Sequence, residues 1–294
     1  MSVSPEPEIA TKLWAAVKNL REKSPLVQCL TNFVSMDIMA NGLLAIGASP
    51  AMVHATGELA DAIPIVGVIG GAVSINIGTL DERWIESFKA AVDLCKQHKV
   101  PWVLDPVAAG FTPLRTSTAL DLMAISPPTV LRGNGSEISA LAPAAADEGG
   151  GGKGVDSTTG SDAAVDAAKR IALKYGSVVV ITGATDYIVS ASEDGKCTVA
   201  ACPHGVEMLT KVTAAGCLVS SVVAAFVASR DPAEASVAEA AAYAMTWYGL
   251  CAELAMTESK GPGSFRANFL DRLYNTKDAE SCNIPIKTNL DAAV

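Results

Sequence analysis

The stretch VSINIGTLDERWIESFKAAVDLCKQHKVPWVLD, residues 73–105, decides the fold. It opens on the short apolar run Val73–Ile77, which reads as a strand. Residues 81–98 read as a helix, and a second apolar run, Trp102–Leu104, reads as another strand ending at Asp105. A strand, a helix and a strand in succession imply a right-handed crossover between parallel neighbours.

The same alternation extends in both directions. Upstream, the spacing of Leu13, Ala16, Val17 and Leu20 predicts a helix over 9–22. A buried strand Leu26–Leu30 follows, then a helix through Met39–Ile46 stopped by Gly47, a strand Ala51–His54 and a helix from about Glu58. Downstream come a helix 117–125, a strand Thr129–Leu131, a helix 161–175 and a strand Val178–Ile181. A β-rich patch at 186–209 is expected to add antiparallel strands at one edge, before alanine-rich helices from 216 onward. The fold class is therefore α/β, a mostly parallel central sheet with helices on both faces in three layers. One domain over residues 9–275 is expected, flanked by a disordered segment 1–8 and a polar tail 276–294.

Composition agrees. Of 294 residues, 50% are hydrophobic, 18% charged and 5% aromatic, which suits buried parallel strands under small-residue helices. A net charge of −9 argues against nucleic acid or an anionic membrane as the main partner. No apolar run is long enough to span a bilayer, and the N-terminus lacks a signal-peptide pattern, so a cytoplasmic protein is expected. Seven cysteines without a C-x-x-C pair read as reduced, mainly structural thiols, and three scattered histidines do not suggest zinc.

Ligands of open α/β sheets sit outside the carboxyl ends of the strands. That rule selects Asn32, Met52, Asn76, Gly78, Asp105, Arg132, Asn134, Glu137 and Thr182, all in or just after apolar runs. Asp105 and Glu137 suit magnesium, which takes few carboxylates alongside water and phosphate oxygens. Each also has a plainer reading, Glu137 as an acid in a first helical turn and Asp105 as a turn former before Pro106. Arg132 and Thr182 suit nucleotide phosphates, by a charge-assisted fork and a hydroxyl.

The segment Thr213-Ala214-Ala215-Gly216-Cys217 places three small residues before a long helix. Small side chains there let backbone N–H groups approach an anion at the positive helix end, where Cys217 would have a lowered thiol pKa. A tight turn with a core cysteine is the alternative. The glycine run 149–154 encloses Lys153 but lacks the terminal G-K-[ST] and a preceding strand, so it reads as a surface loop rather than a P-loop.

The ordered motifs S-P-L-V-Q-C-L-T-N (24–32), A-N-G-L-L-A-I-G-A-S-P-A-M (40–52), N-I-G-T-L (76–80), V-L-D-P-V (103–107), R-G-N-x-x-E-I (132–138), K-G-V-D (153–156), I-T-G (181–183), K-V-T-x-x-G-C (211–217) and K-G-P-G-S-F (260–265) resemble those of hydroxyethylthiazole kinases. That resemblance implies a ribokinase-like fold and phosphorylation of 4-methyl-5-(2-hydroxyethyl)thiazole by ATP, with Mg2+, in thiamin salvage. It implies thiazole contacts at Met52, Asn32 and the Ala214 backbone, and ATP contacts at Arg132, Thr182 and Thr213. Asp105 and Glu137 match acids near magnesium, and Ala215, Gly216 and Cys217 complete a catalytic anion hole. A homotrimer with sites between subunits is implied too. Ala214 stands where the family usually has glycine, so a negative φ is expected of it. The stretch 65–74 after Asp61 also departs from the family pattern. Cys217 sits where related sugar kinases carry an aspartate base. Other ribokinase-like enzymes, such as a hydroxymethylpyrimidine kinase or a nicotinamide-nucleotide-hydrate dehydratase, share the fold. A non-catalytic thiazole- or thiamin-binding regulator is the reading from another class.

Overall fold

The computed structural model of the chain describes residues 8–143 and 160–292. The expectations for the first seven residues, the glycine run and the Lys153–Asp156 motif lie outside the described residues.

Eight strands form one sheet: β1 (Leu26–Leu30), β2 (Ser49–Ala51), β3 (Ala72–Asn76), β4 (Trp102–Asp105), β5 (Val130–Asn134), β6 (Val178–Thr182), β7 (Asp186–Ala191) and β8 (Cys197–Cys202). Their spatial order is β2-β1-β3-β4-β5-β6-β7-β8. The pairs from β2 through β6 are parallel, while β6–β7 and β7–β8 are antiparallel, as the 186–209 patch led one to expect.

The parallel strands are apolar on both faces because both faces are covered. Val178 and Val180 of β6 face one core, Val179 and Ile181 the other. The first core is closed by α1 (Glu8–Lys23), α2 (Met36–Ile46), α8 (Ala215–Ser229), α9 (Val237–Thr257) and α10 (Pro262–Asn275). The second is closed by α3 (Thr56–Val68), α4 (Glu82–His98), α5 (Pro113–Ile125), α6 (Gly135–Leu141) and α7 (Gly160–Tyr175). This is the three-layer arrangement expected.

Three boundaries differ from expectation for local reasons. The strand expected at Ala51–His54 is Ser49–Ala51, so Met52 falls just beyond it. The Gln28 side chain takes the Val53 N–H at 3.4 Å and donates to the Val53 carbonyl, standing in for ladder partners. Helix α5 begins at Pro113, four residues early, because the Thr112 hydroxyl caps the Arg115 N–H at 3.3 Å and proline suits the first turn. The atypical stretch 65–74 divides between the end of α3 and the start of β3, with Gly70 at φ +70° making the turn.

The segment after α10 carries neither helix nor ladder strand, yet it is docked. Asn289 exchanges both backbone hydrogen bonds with Ala201 at 2.7 and 2.9 Å, and Thr276, Cys282 and Thr288 are buried.

Candidate active site

Parallel pairing in register brings the polar strand ends to one rim. Asn76 aligns with Asp105 across β3–β4, and Asn134 with Thr182 across β5–β6. The N-terminus of α8 abuts this rim.

Asn32 Nδ2 donates to Asn76 Oδ1 at 2.9 Å, and Asn76 Nδ2 donates to Asp105 Oδ2 at 2.8 Å. The same Asp105 oxygen accepts the Ser220 hydroxyl at 2.8 Å and lies 3.8 Å from Arg132 Nη1. Gly78 is required beside this chain, because a Cβ there would stand 2.5 Å from Asn32 Nδ2. Asp105 is fully enclosed, and burial pushes its carboxyl up to about 6, against the pull of Arg132, Ser220 and Asn76.

Arg132 spans the gap between sheet and helix. Nη1 donates to the Gly216 carbonyl at 3.1 Å and Nη2 to the Thr182 hydroxyl at 2.9 Å. Its Nε is buried and has no hydrogen-bond partner among the described residues. Gly216 leaves room for the guanidinium, since a Cβ would lie 3.3 Å from Nη1.

Ala214 caps α8 at φ +62°, ψ +10°. The expectation of a negative φ is overturned: the turn has to swing into the left-handed region to point the first-turn amides outward, and this chain pays for it with a Cβ. The Leu218 N–H opens the regular helical bonds at 2.9 Å to the Ala214 carbonyl, so the amides of Gly216 and Cys217 precede the first intrahelical donor. From behind, Tyr248 of α9 donates its hydroxyl to the Ala215 carbonyl at 2.7 Å and steadies the turn.

Cys217 is half-buried, and the lowered thiol expected of it is not found. Burial first, then the charge of Asp105, push its thiol up to about 11 and outweigh the helix end.

Glu137 is buried, and both carboxylate oxygens are engaged: Oε1 accepts the Ala108 N–H at 2.7 Å, Oε2 the Asn134 N–H at 2.8 Å. The second bond belongs to a capping box with Asn134, so the first-turn reading of this acid holds. Among the described residues no group of three or more His, Cys, Asp or Glu could hold a metal.

A cavity of ≈ 720 Å³ opens beside this rim, lined by Arg132, Thr182, Ala215, Gly216 and Tyr248, among others. Asp186 also lines it, accepts the Gly183 N–H at 2.9 Å and is pushed up to about 6 by burial. Thr213 is exposed and does not line it. A second hollow of ≈ 650 Å³ lies past β1 and β2, walled by Phe33, His54 and Trp84. Met52 is half-buried against the α2–α8 core, at the carboxyl end of the strand beside Asn32.

Sequence reading missed Ser220, Tyr248, Asp186 and Arg115. Arg115 donates to the carbonyls of Ile77, Val107 and Gly78, each at 2.9 Å, and binds the loops after β3 and β4 together. Ser220 lies one helical turn after Gly216 in α8, a spacing that could have flagged it, whereas Tyr248 lies inside the apolar helix α9, where nothing in the sequence marks it.

Residues 17–279 match the profile of the hydroxyethylthiazole kinase family. The chain is 45% identical to the hydroxyethylthiazole kinase of Zea mays over 263 residues, 90% of this chain and 88% of that protein. It is 41% identical to the Arabidopsis thaliana protein of the same name, over 93% of each. The solved hydroxyethylthiazole kinase protein from Pyrococcus horikoshii OT3 superposes with a TM-score of 0.79 at 36% identity, over 95% of this chain and 98% of that one. A phosphomethylpyrimidine kinase from Clostridium difficile, at a TM-score of 0.51 and 14% identity, shares the fold alone.

Proposed function

The chain belongs to the hydroxyethylthiazole kinase family, and from that premise we propose that it transfers the γ-phosphoryl group of ATP to the primary hydroxyl of 4-methyl-5-(2-hydroxyethyl)thiazole. The observation that carries this reading is the convergence of the Ala214 turn, Arg132 and Thr182 on one rim beside the larger cavity. ATP occupies that cavity, with its phosphates reaching the Gly216 and Cys217 amides and the spare donors of Arg132. Asn32, Met52 and the Ala214 backbone hold the thiazole, and Thr213 borders the nucleotide from the exposed side of the turn.

Phosphoryl transfer has a loose transition state, so the protein acts mainly by placing and neutralising charge. Of the anion hole expected at Ala215, Gly216 and Cys217, the last two offer amides already aimed by the strained cap, while the Ala215 N–H reaches back to the Val212 carbonyl at 3.4 Å. Asp105, anchored by Asn76 and Ser220, is positioned to orient the attacking hydroxyl and accept its proton in a dry pocket. With its thiol pushed up, Cys217 stays neutral near pH 7 and contributes its amide more than its sulfur.

Asp105 and Glu137 lie near enough for their charges to interact, and a pair of carboxylates suits Mg2+ as a companion of ATP phosphates. Asp105 and Glu137 would hold it, through water or a free lone pair, and the ion would neutralise phosphate charge. Exposed apolar side chains at Phe33, Ile65, Val68 and Ile69 support a homotrimer with sites between subunits. Among the described residues no helix is long and apolar enough to cross a membrane.

An ADP-release assay with hydroxyethylthiazole, hydroxymethylpyrimidine and pyridoxal side by side tests the assignment. ATP turnover confined to the thiazole is expected. Preference for another alcohol overturns the substrate, and thiazole binding without turnover overturns the kinase.

A further inference from the structure

The wall of the larger cavity between β8 and α8 is formed by His204, Gly205, Val206, Glu207 and Leu209. This stretch is tied down at several points.

His204 is buried and has both ring nitrogens engaged. Its Nε2 faces the Lys287 backbone N–H at 3.0 Å. An amide N–H only donates, so Nε2 must accept and the ring proton sits on Nδ1. That proton goes to Glu253 Oε1 of α9, at 3.1 Å. The same carboxylate oxygen accepts the Gly205 N–H at 2.9 Å, at a residue whose φ of +133° needs glycine. Helix α9 presses close from behind: a Cβ at Gly249 would stand 2.6 Å from His204 atoms. The wall is thus caught between α9 on one side and the C-terminal segment on the other.

That segment has its own anchorage. Beyond the paired bonds of Asn289 with Ala201, the Ala292 N–H donates to the Val199 carbonyl at 2.7 Å. The Thr288 and Thr246 hydroxyls share a buried hydrogen bond at 2.6 Å. Residues 282–292 run beside the edge strand β8, and the Lys287 N–H joins them to the cavity wall at His204. They lie beyond the stretch that matches the family profile, so membership assigns them no task.

We propose that residues 282–292 are a strap that sets the position of the cavity wall, and that His204 is the positioning residue through which it acts on nucleotide binding. The inference rests on assigning this cavity to ATP. The strap acts on the base-and-ribose end of the nucleotide, away from the anion hole, so it tunes the KM for ATP and leaves the alcohol site alone.

Three variants of the full chain test it by ADP release, with each substrate varied in turn and a thermal melt recorded. Lys287→Pro removes the amide donor, and the melt reports any disturbance of the chain around it. His204→Asn keeps a donor near Glu253 but is too short to reach Lys287. His204→Gln restores an acceptor at that distance. Loss of this one hydrogen bond should raise the KM for ATP about five- to tenfold in the first two variants, with the KM for thiazole unmoved. Glutamine should bring the KM for ATP back toward wild type. Wild-type KM values for ATP in both Lys287→Pro and His204→Asn overturn the proposal. So does a uniform loss of kcat that tracks the melting temperature, because that marks a merely structural role. A wild-type protein that neither binds nor turns over ATP overturns instead the cavity assignment beneath it, and the strap's role with it.

Discussion

Asp105, the last residue of β4, accepts the Ser220 hydroxyl of α8 at 2.8 Å, tying the carboxyl end of the sheet to the helix that forms the anion hole. Burial raises the Asp105 carboxyl to about 6, and Ser220 is one of the groups that restrain it. If the ionised carboxylate is the working form, activity falls as pH drops through about 6. Ser220→Ala removes a stabiliser of the charged form, so the acid limb of the pH–rate profile should move to higher pH. A loss of about one hydrogen bond to a charged group predicts a shift of roughly one pH unit. Profiles of kcat/KM for both proteins check this, and coincident limbs would remove Asp105 from the titrating role. Asp105→Asn should lower kcat by about a hundredfold or more at any pH.

Ala214 sits at φ +62°, where a Cβ costs on the order of 1 kcal/mol. Ala214→Gly should raise the melting temperature by about 2 °C. The freer turn should also hold its amides less firmly, so kcat is expected to fall modestly as stability rises. Differential scanning calorimetry and turnover on the same preparation check both directions. A stability gain without any change in kcat would mean that the strain is incidental.

Cys217 has a thiol raised to about 11, so almost none of it is ionised at pH 7 to 8. Cys217→Ala should keep turnover within about tenfold of wild type, because the amide remains and the thiol is a poor base. Cys217→Asp should preserve or raise turnover by placing a base that is ionised near neutral pH at the same turn. Site-resolved alkylation by iodoacetamide should be slow below pH 9 and accelerate above it.

The element order, the parallel core and the antiparallel edge were legible because buried parallel strands announce themselves as apolar runs, such as Val178–Ile181. The rim positions Asn76 and Asp105 were legible too, as polar residues that end their strands, whereas Arg132, expected just after a strand, lies within β5. The φ of Ala214 was not, because alanine carries no mark of the conformation that tertiary packing imposes on it. Nor was the Cys217 thiol: helix position is local, while the burial and the neighbouring Asp105 that dominate it come from distant parts of the chain. The docking of 276–292 was hidden for a related reason, because it rests on backbone bonds, as between Asn289 and Ala201, that no side-chain pattern encodes.

Val68 is 87% exposed on α3, beside exposed Ile65 and Ile69. If that face joins subunits, Val68→Asp should shift the protein toward smaller species in sedimentation velocity. Activity should fall with it, since sites between subunits are lost on separation. An unchanged sedimentation coefficient would exclude this face from the assembly.

Glu137 and Asp105 were grouped as magnesium acids, but their surroundings set them apart. Asp105 receives side-chain donors, whereas Glu137 receives two backbone amides, one of them from Ala108 at φ +59°. Ala108 is a second left-handed alanine, in the loop that follows β4, and the Glu137 carboxylate holds its amide at 2.7 Å. Removing that carboxylate leaves the Ala108 and Asn134 amides without their acceptor, at about 1–3 kcal/mol for a partly buried group. Glu137→Ala should therefore melt several degrees lower than wild type as well as lose activity. Asp105→Asn, which keeps the shape and one acceptor oxygen for Asn76 and Ser220, should lose activity with little change in melting temperature. Raising magnesium should recover part of the Glu137→Ala activity if the ion can compensate for a lost ligand, and none of it if the loop has moved. Thermal melts and magnesium titrations of the two variants, run together, separate a ligand from a staple.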